Sequence, residues 1–254
     1  MKKIDLNCDM GEGFGAYAMA NDEQLMDHIT SANIACGYHA GDPAIMQRTV
    51  RLAIEKGVAI GAHPGLPDLQ GFGRREMKIT ESEAYQMCLY QIGALSAFVK
   101  AANGVLNHIK PHGALYNMAA RDPGLAKAIA AAIGDFDPKL KLYALAGSQM
   151  ISAAKALGLE TVSEVFADRT YQDDGSLTPR SAPNSLIIEE TKSIEQVLMM
   201  VKESKVLSLN NKRVSIVAET ICLHSDGAHA LAFAEKIAQV LNTNGITVEA
   251  RNGN

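Results

Sequence analysis

Short β-like runs alternate with helical patterns along the whole chain, and this alternation limits the fold more than any other feature. The runs are Lys3–Asp9, Ser31–Gly37, Gly57–His63, Val105–His112, Lys139–Ala146, Glu160–Asp168 and Arg213–His224. Strands separated by helices pair in parallel and bury both faces under the helices. The helical segments carry their own boundary signals. Asp42 and Pro43 open a helix that Gly57 closes, and Asp122-Pro123 and Ser148 open two more. Thr80 and Glu83 have capping-box spacing, as do Ser193 and Gln196. Ala84, Cys88, Ile92, Leu95 and Val99 recur at helical spacing after the first of these boxes. The last helix is expected from about Gly227 to Asn244, with Leu231, Ala234, Ile237, Ala238 and Leu241 as its apolar face.

Seven such alternations predict an α/β fold, either a doubly wound open sheet or an irregular seven-stranded (β/α) barrel. The barrel is preferred because polar residues recur at many strand ends rather than at one crevice. A length of 254 residues suits a single domain over 1–254. The irregular stretch from Arg169 to Leu186 is rich in Asp, Gly, Ser and Pro, as functional loops of that length often are.

Bulk composition narrows the function. A formal charge of −4 without a basic run argues against nucleic acid. No apolar stretch approaches a membrane span, and acids follow Lys2-Lys3 where a signal peptide needs apolar residues. A cytoplasmic protein is expected. Cys8, Cys36, Cys88 and Cys222 lie far apart and read as reduced core thiols.

Strand parity then exposes the chemistry. In the first run Ile4, Leu6 and Cys8 share one face, and Asp5, Asn7 and Asp9 share the other. The apolar face should meet helices, leaving the polar one inside the barrel. His108, Lys110 and His112 share a parity, as do Asn33 and His39, and Glu164 and Asp168, while the third run ends at His63. Barrel interiors are normally filled by branched aliphatic side chains. Ionisable groups converging there would perturb one another's pKa values, which marks a functional site. Met10 to Gly15 is a glycine-rich turn, and it carries Glu12. Arg74-Arg75 could bind an anion or form a solvated pair. No GxxxxGK[ST] or GxSxG is present.

At these same residues the chain resembles the LamB/YcsF family. The resemblance rests on Asp5–Glu12, Asn33–Asp42, Gly61–Gly65, His108–Tyr116, Glu164–Arg169 and Cys222–Asp226, with Ser225 where Gly is expected. It implies a seven-stranded barrel akin to glycoside hydrolase/deacetylase barrels. It also implies an ATP-dependent lactam hydrolase that opens 5-oxo-L-proline to L-glutamate, with Mg as a divalent metal accompanying ATP, as part of a complex with B and C subunits. Within that chemistry Asp9 or His112 serves as general base, and Lys110 steadies negative charge. His39 and His63 position substrate or an ion, and Arg169 clamps a carboxylate. Asn7, Glu12 and Glu164 complete the expected substrate-binding set. Two other readings stand beside it. One is a stand-alone metal-dependent deacetylase or amidohydrolase, with Asp9, His39 and His63 as ligands. The other is a non-catalytic ligand-binding subunit.

Overall fold

A computed structural model describes residues 2–17, 22–223 and 230–251. Seven parallel strands close on themselves: β1 (Lys2–Met10), β2 (Ser31–Ala35), β3 (Ala59–His63), β4 (Leu106–Ile109), β5 (Lys141–Leu145), β6 (Thr161–Phe166) and β9 (Thr220–Leu223). Closure comes from β1, which pairs with β2 through Asn7–Met10 and with β9 through Asp5–Cys8. The barrel expectation therefore holds over the open sheet.

Helices cover the strands. They are α1 (Asp22–Leu25), α2 (Pro43–Lys56), α3 (Glu81–Ala101), α4 (Gly113–Arg121), α5 (Pro123–Phe136), α6 (Gln149–Ala156), α7 (Glu190–Glu203) and α8 (Ala230–Thr243). Local chemistry sets several of their ends. The Asp42 carboxylate accepts from the Ala44 and Ile45 amides, and Gly57 ends α2 in the left-handed region at φ 69°. Thr80 and Glu83 form the full reciprocal capping box of α3, and Asp122 caps α5. The expected α3 face is buried from Ala84 to Val99. On α8, Ala234, Ile237 and Leu241 are buried and Leu231 and Ala238 pack against the core.

The structure corrects two expectations and adds one strand. Ser193 and Gln196 lie inside α7 rather than at its start. The Ser193 hydroxyl donates to the Ala167 carbonyl, and the Gln196 amide donates to the carbonyls of Phe166, Ala167 and Arg169. These side chains anchor the segment leaving β6, because its carbonyls have left the sheet and need donors. The run from Arg213 is two strands, not one. β8 (Arg213–Ser215) pairs antiparallel with β7 (Lys205–Leu207), outside the barrel, and only β9 enters it. A further strand, β10 (Ile246–Val248), extends the sheet at the start of β1. The expected helix start near Gly227, and His224 to Asp226, lie outside the described residues.

All four cysteines are free and buried. Among the described residues no helix is long and apolar enough to cross a membrane.

Candidate active site

The alternation expected for β1 is realised. Ile4, Leu6 and Cys8 join the apolar core, while Asp5, Asn7 and Asp9 enter the barrel, where they build a polar column. At its floor the Asp5 carboxylate accepts from Thr30 and Ser31, at 2.6 and 2.7 Å, and from Thr220; burial raises its pKa. One layer up, Asn33 donates to Asn7 Oδ1 at 2.8 Å, and His108 Nε2 lies 2.8 Å from Asn33 Oδ1. The His108 ring stacks on Tyr143 and fills space left by Gly61, where a Cβ would fall 2.1 Å from Nε2. Burial and the Lys110 charge hold His108 well below the usual imidazole range. His108 is thus a core side chain and does not reach the mouth.

The next layer holds the chemistry, at the C-terminal strand ends. Lys110 Nζ lies 2.8 Å from Asp9 Oδ1, 3.0 Å from Glu164 Oε1, 3.1 Å from Asn7 Oδ1 and 3.1 Å from Cys222 Sγ. Burial alone would lower its pKa, but Asp9, Cys222 and Glu164 outweigh that and hold it well above the usual range. Burial would likewise raise Asp9, yet His63 and Lys110 hold it well below the carboxylate range. Glu164 is fully buried, and Tyr116 donates to its other oxygen at 2.6 Å.

Beside Asp9 stand three imidazoles and a second carboxylate. His63 Nδ1 lies 2.7 Å from the Lys110 carbonyl, and His112 Nε2 lies 2.8 Å from the Phe72 carbonyl. A carbonyl only accepts, so both of these nitrogens carry hydrogen. In the neutral rings, His63 Nε2 and His112 Nδ1 then present lone pairs to each other across 2.9 Å. Asp9 Oδ2 lies 3.2 Å from His63 Nε2, and Glu12 Oε1 lies 3.3 Å from His112 Nδ1 and 3.1 Å from His39 Nε2. Such a convergence of acceptors requires a proton or a cation.

The pKa shifts narrow the choice. Burial and neighbouring imidazoles press His39 and His112 well below the usual range, favouring neutral rings. Burial and the Asp9 charge push Glu12 up to about 7. The four ligand atoms of Glu12, His39, His63 and His112 lie within 4.8 Å of one another. Three imidazoles and a carboxylate suit a zinc-like divalent ion, and anchoring the distal ring nitrogens on carbonyls is typical of metal-binding histidines. This buried set could hold a metal ion. It shares His39 and His63 with the triad expected from sequence, and it adds Glu12 and His112; Asp9 meets His63 from the Lys110 side.

The remaining candidates are more dispersed. Asn7 lies below the mouth, bonded to Thr220, Asn33 and Lys110. Arg169 is buried and donates to the Thr178 and Ser185 carbonyls, so it ties down its own loop; burial lowers its pKa to about 10. It nevertheless lines the same small pocket as Asp9, His63, Lys110 and His112. Arg74 and Arg75 part company. Arg75 pairs with Asp68, while Arg74 lies 4.9 Å over the Phe72 ring at the pocket edge. Asp168 is half-buried in the segment after β6.

Sequence reasoning missed Tyr116, Cys222 and Phe72 as site residues. Tyr116 and Cys222 sit inside the motifs singled out, and parity with Thr220 places Cys222 on the inner face of β9. Phe72 takes part through its carbonyl, which no side-chain pattern reveals.

A closed parallel barrel with ionisable side chains gathered at its C-terminal mouth defines the class of an enzyme-type (β/α) barrel. The same architecture occurs in the catalytic domain of a peptidoglycan N-acetylglucosamine deacetylase from Eubacterium rectale, with a TM-score of 0.52 at 14% identity over 100% of this chain and 90% of that one, a likeness of fold alone. The chain belongs to the LamB/YcsF family, whose model matches residues 4–253. It is 58% identical to the A subunit of 5-oxoprolinase from Brevibacillus brevis, over 99% of both chains. It is 56% identical to the protein of the same name from Bacillus subtilis, over 98% of this chain and 97% of that one. The crystal structure of a lactam utilization protein from Thermus thermophilus superposes with a TM-score of 0.92 at 46% identity, covering 98% of this chain and 99% of that chain.

Proposed function

We propose that this chain acts as the A subunit of an ATP-dependent 5-oxoprolinase, opening the lactam of 5-oxo-L-proline to L-glutamate together with B and C subunits. The observation that carries this reading is the 58% identity to a relative of that name over 99% of both chains. The site supplies matching chemistry. A five-membered lactam is a stable amide, and transfer of a phosphoryl group from ATP to its oxygen makes the ring carbon electrophilic. Water then adds to that carbon and the ring C–N bond breaks. The nitrogen takes a proton, and a second water hydrolyses the resulting acyl phosphate to the carboxylate and orthophosphate.

In this reading Lys110 faces the developing negative charge from its place between Asp9 and Glu164. Asp9, ionised and lining the pocket, orients the attacking water. Proton acceptance falls to Glu12, whose pKa of about 7 suits a base, whereas Asp9 is held well below the carboxylate range and His112 well below the imidazole range. Glu164 fixes Lys110, and Asn7 supports it from below. A divalent ion held by Glu12, His39, His63 and His112 would supply Lewis acidity when bound. Arg169 positions the loop over the pocket, and its guanidinium is the nearby candidate for the substrate carboxylate.

The test is 5-oxoproline-dependent ATP hydrolysis by the reconstituted complex, with each component omitted in turn. The reading requires that omitting this chain abolish coupled glutamate formation; undiminished formation without it would overturn the proposal. The Glu12–His39–His63–His112 cluster favours a second reading, a metal-dependent amide hydrolase acting alone. Stoichiometric, tightly bound zinc together with amide hydrolysis without ATP would favour that alternative.

A further inference from the structure

Asp5 is a fully buried carboxylate that no step of the proposed chemistry uses. Barrel interiors are normally aliphatic, and burying a charge on hydroxyl bonds is costly. Here the hydroxyls of Thr30, Ser31 and Thr220 donate to it. Strand register sets this carboxylate beneath the chemistry. On the inner faces of neighbouring strands, Asp5 of β1 is level with Thr220 of β9, Asn7 with Cys222, and Asp9 with Asn33 of β2.

The hydrogens available decide which way each bond runs. An ionised carboxylate only accepts, so Thr220 gives its one hydroxyl hydrogen to Asp5 Oδ2. The Thr220 oxygen is left as an acceptor, and Asn7 Nδ2 donates to it at 2.7 Å. Asn7 is thereby held with Oδ1 on the opposite side, where Lys110 Nζ donates at 3.1 Å and Asn33 Nδ2 at 2.8 Å. Turned over, the amide would set its hydrogens against an ammonium and against the Asn33 amide hydrogens. The Asp5 charge fixes this polarity. A protonated Asp5 would donate to Thr220, whose own hydrogen would then face the Asn7 amide hydrogens.

We propose that Asp5 and Thr220 are positioning residues for Lys110, acting through Asn7 along a hydrogen-bond relay that runs from the barrel floor to its mouth. Neither touches substrate. The catalytic weight of Lys110 rests on the function proposed above, whereas the relay rests on geometry alone.

NMR of the full chain, labelled with nitrogen-15 and carbon-13, reads the Asn7 amide without turnover. In the wild type its hydrogens should show stronger Overhauser contacts to the Thr220 side chain than to the Lys110 ε-methylene, and the reverse order would overturn the relay. Turnover of the reconstituted complex reads the consequence. Thr220→Val has nearly the same shape but no hydroxyl, so a buried amide hydrogen loses its acceptor and Asn7 no longer holds Lys110 in place. It should lower kcat about tenfold and leave KM for 5-oxoproline within about twofold. Thr220→Ser, which keeps the hydroxyl, should retain at least about half of the wild-type kcat. In an Asn7→Ala background, where the relay is already cut, Thr220→Val should add less than about twofold. An unchanged kcat in Thr220→Val, a rise in KM alone, or full additivity with Asn7→Ala would each overturn the proposal. Should Thr220→Val unfold, the wild-type Overhauser pattern still decides it. A wild-type complex that leaves the lactam closed would sink the function, while the Asn7 contacts would uphold or overturn the relay on their own.

Discussion

Replacing Lys110 by methionine tests the electrostatic core of the site. The ammonium lies 2.8 Å from Asp9 Oδ1 and 3.0 Å from Glu164 Oε1, with Lys110 and Glu164 both essentially buried. Removing one partner of a buried ion pair leaves an uncompensated charge and costs about 3–5 kcal/mol. For a chain of this size 1 kcal/mol shifts Tm by about 2–4 °C, so a loss on the order of 6–20 °C is expected near pH 7.5. The cost has a pH signature. In the wild type Asp9 is held below its unfolded pKa, so it contributes stability above that value and loses it as pH falls through the folded pKa. Without Lys110 the stranded Asp9 carboxylate favours protonation, and the gap between variant and wild type should narrow from pH 7.5 towards pH 5. Lys110 has the opposite sense. Its folded pKa is raised, so its contribution is complete below an unfolded value of about 10.4 and fades only at higher pH. Scanning calorimetry of both proteins across this range is the assay. A Tm change below 1 °C, or a gap independent of pH, would refute the reasoning.

Gly61→Ala would place a Cβ 2.1 Å from the His108 ring. It should destabilise by about 1–3 kcal/mol, read from urea midpoints, with the cost reduced when His108→Ala is combined with it. Asp42→Ala takes the acceptor from the Ala44, Ile45 and Gly15 amides, and a lower urea midpoint is expected in chemical unfolding. Tyr116→Phe deletes the 2.6 Å bond to buried Glu164. It should cost about 1–3 kcal/mol in unfolding experiments and lower turnover of the reconstituted complex, because Lys110 loses its positioned partner.

Much of the barrel is legible in the chain because its signals are local. The caps at Asp42, Thr80 and Asp122 and the parity of Ile4 to Asp9 need only neighbouring residues. The same parity placed Asp9, His63 and Lys110 together, since any closed parallel barrel brings strand C-termini to one mouth. Signals failed where tertiary demand competes with local chemistry. Ser193 and Gln196 have the spacing of a capping box, yet the open carbonyls after β6 recruit them. Arg169 looks like a free clamp in sequence, but loop carbonyls occupy part of its fork. The short β7 and β10 carry too few residues for alternation to register. Strand parity brings His39, His63 and His112 to one mouth, but Glu12 joins them through the loop after β1, a contact that no spacing encodes.

The most direct measurement is glutamate formed per ATP consumed by the reconstituted complex carrying Asp9→Asn in this chain. Loss of at least a hundredfold in product, with assembly retained and the assay run below the lowered melting temperature of the variant, is the expected result. Product formation at the unmodified rate would place the reacting atoms somewhere other than this barrel mouth.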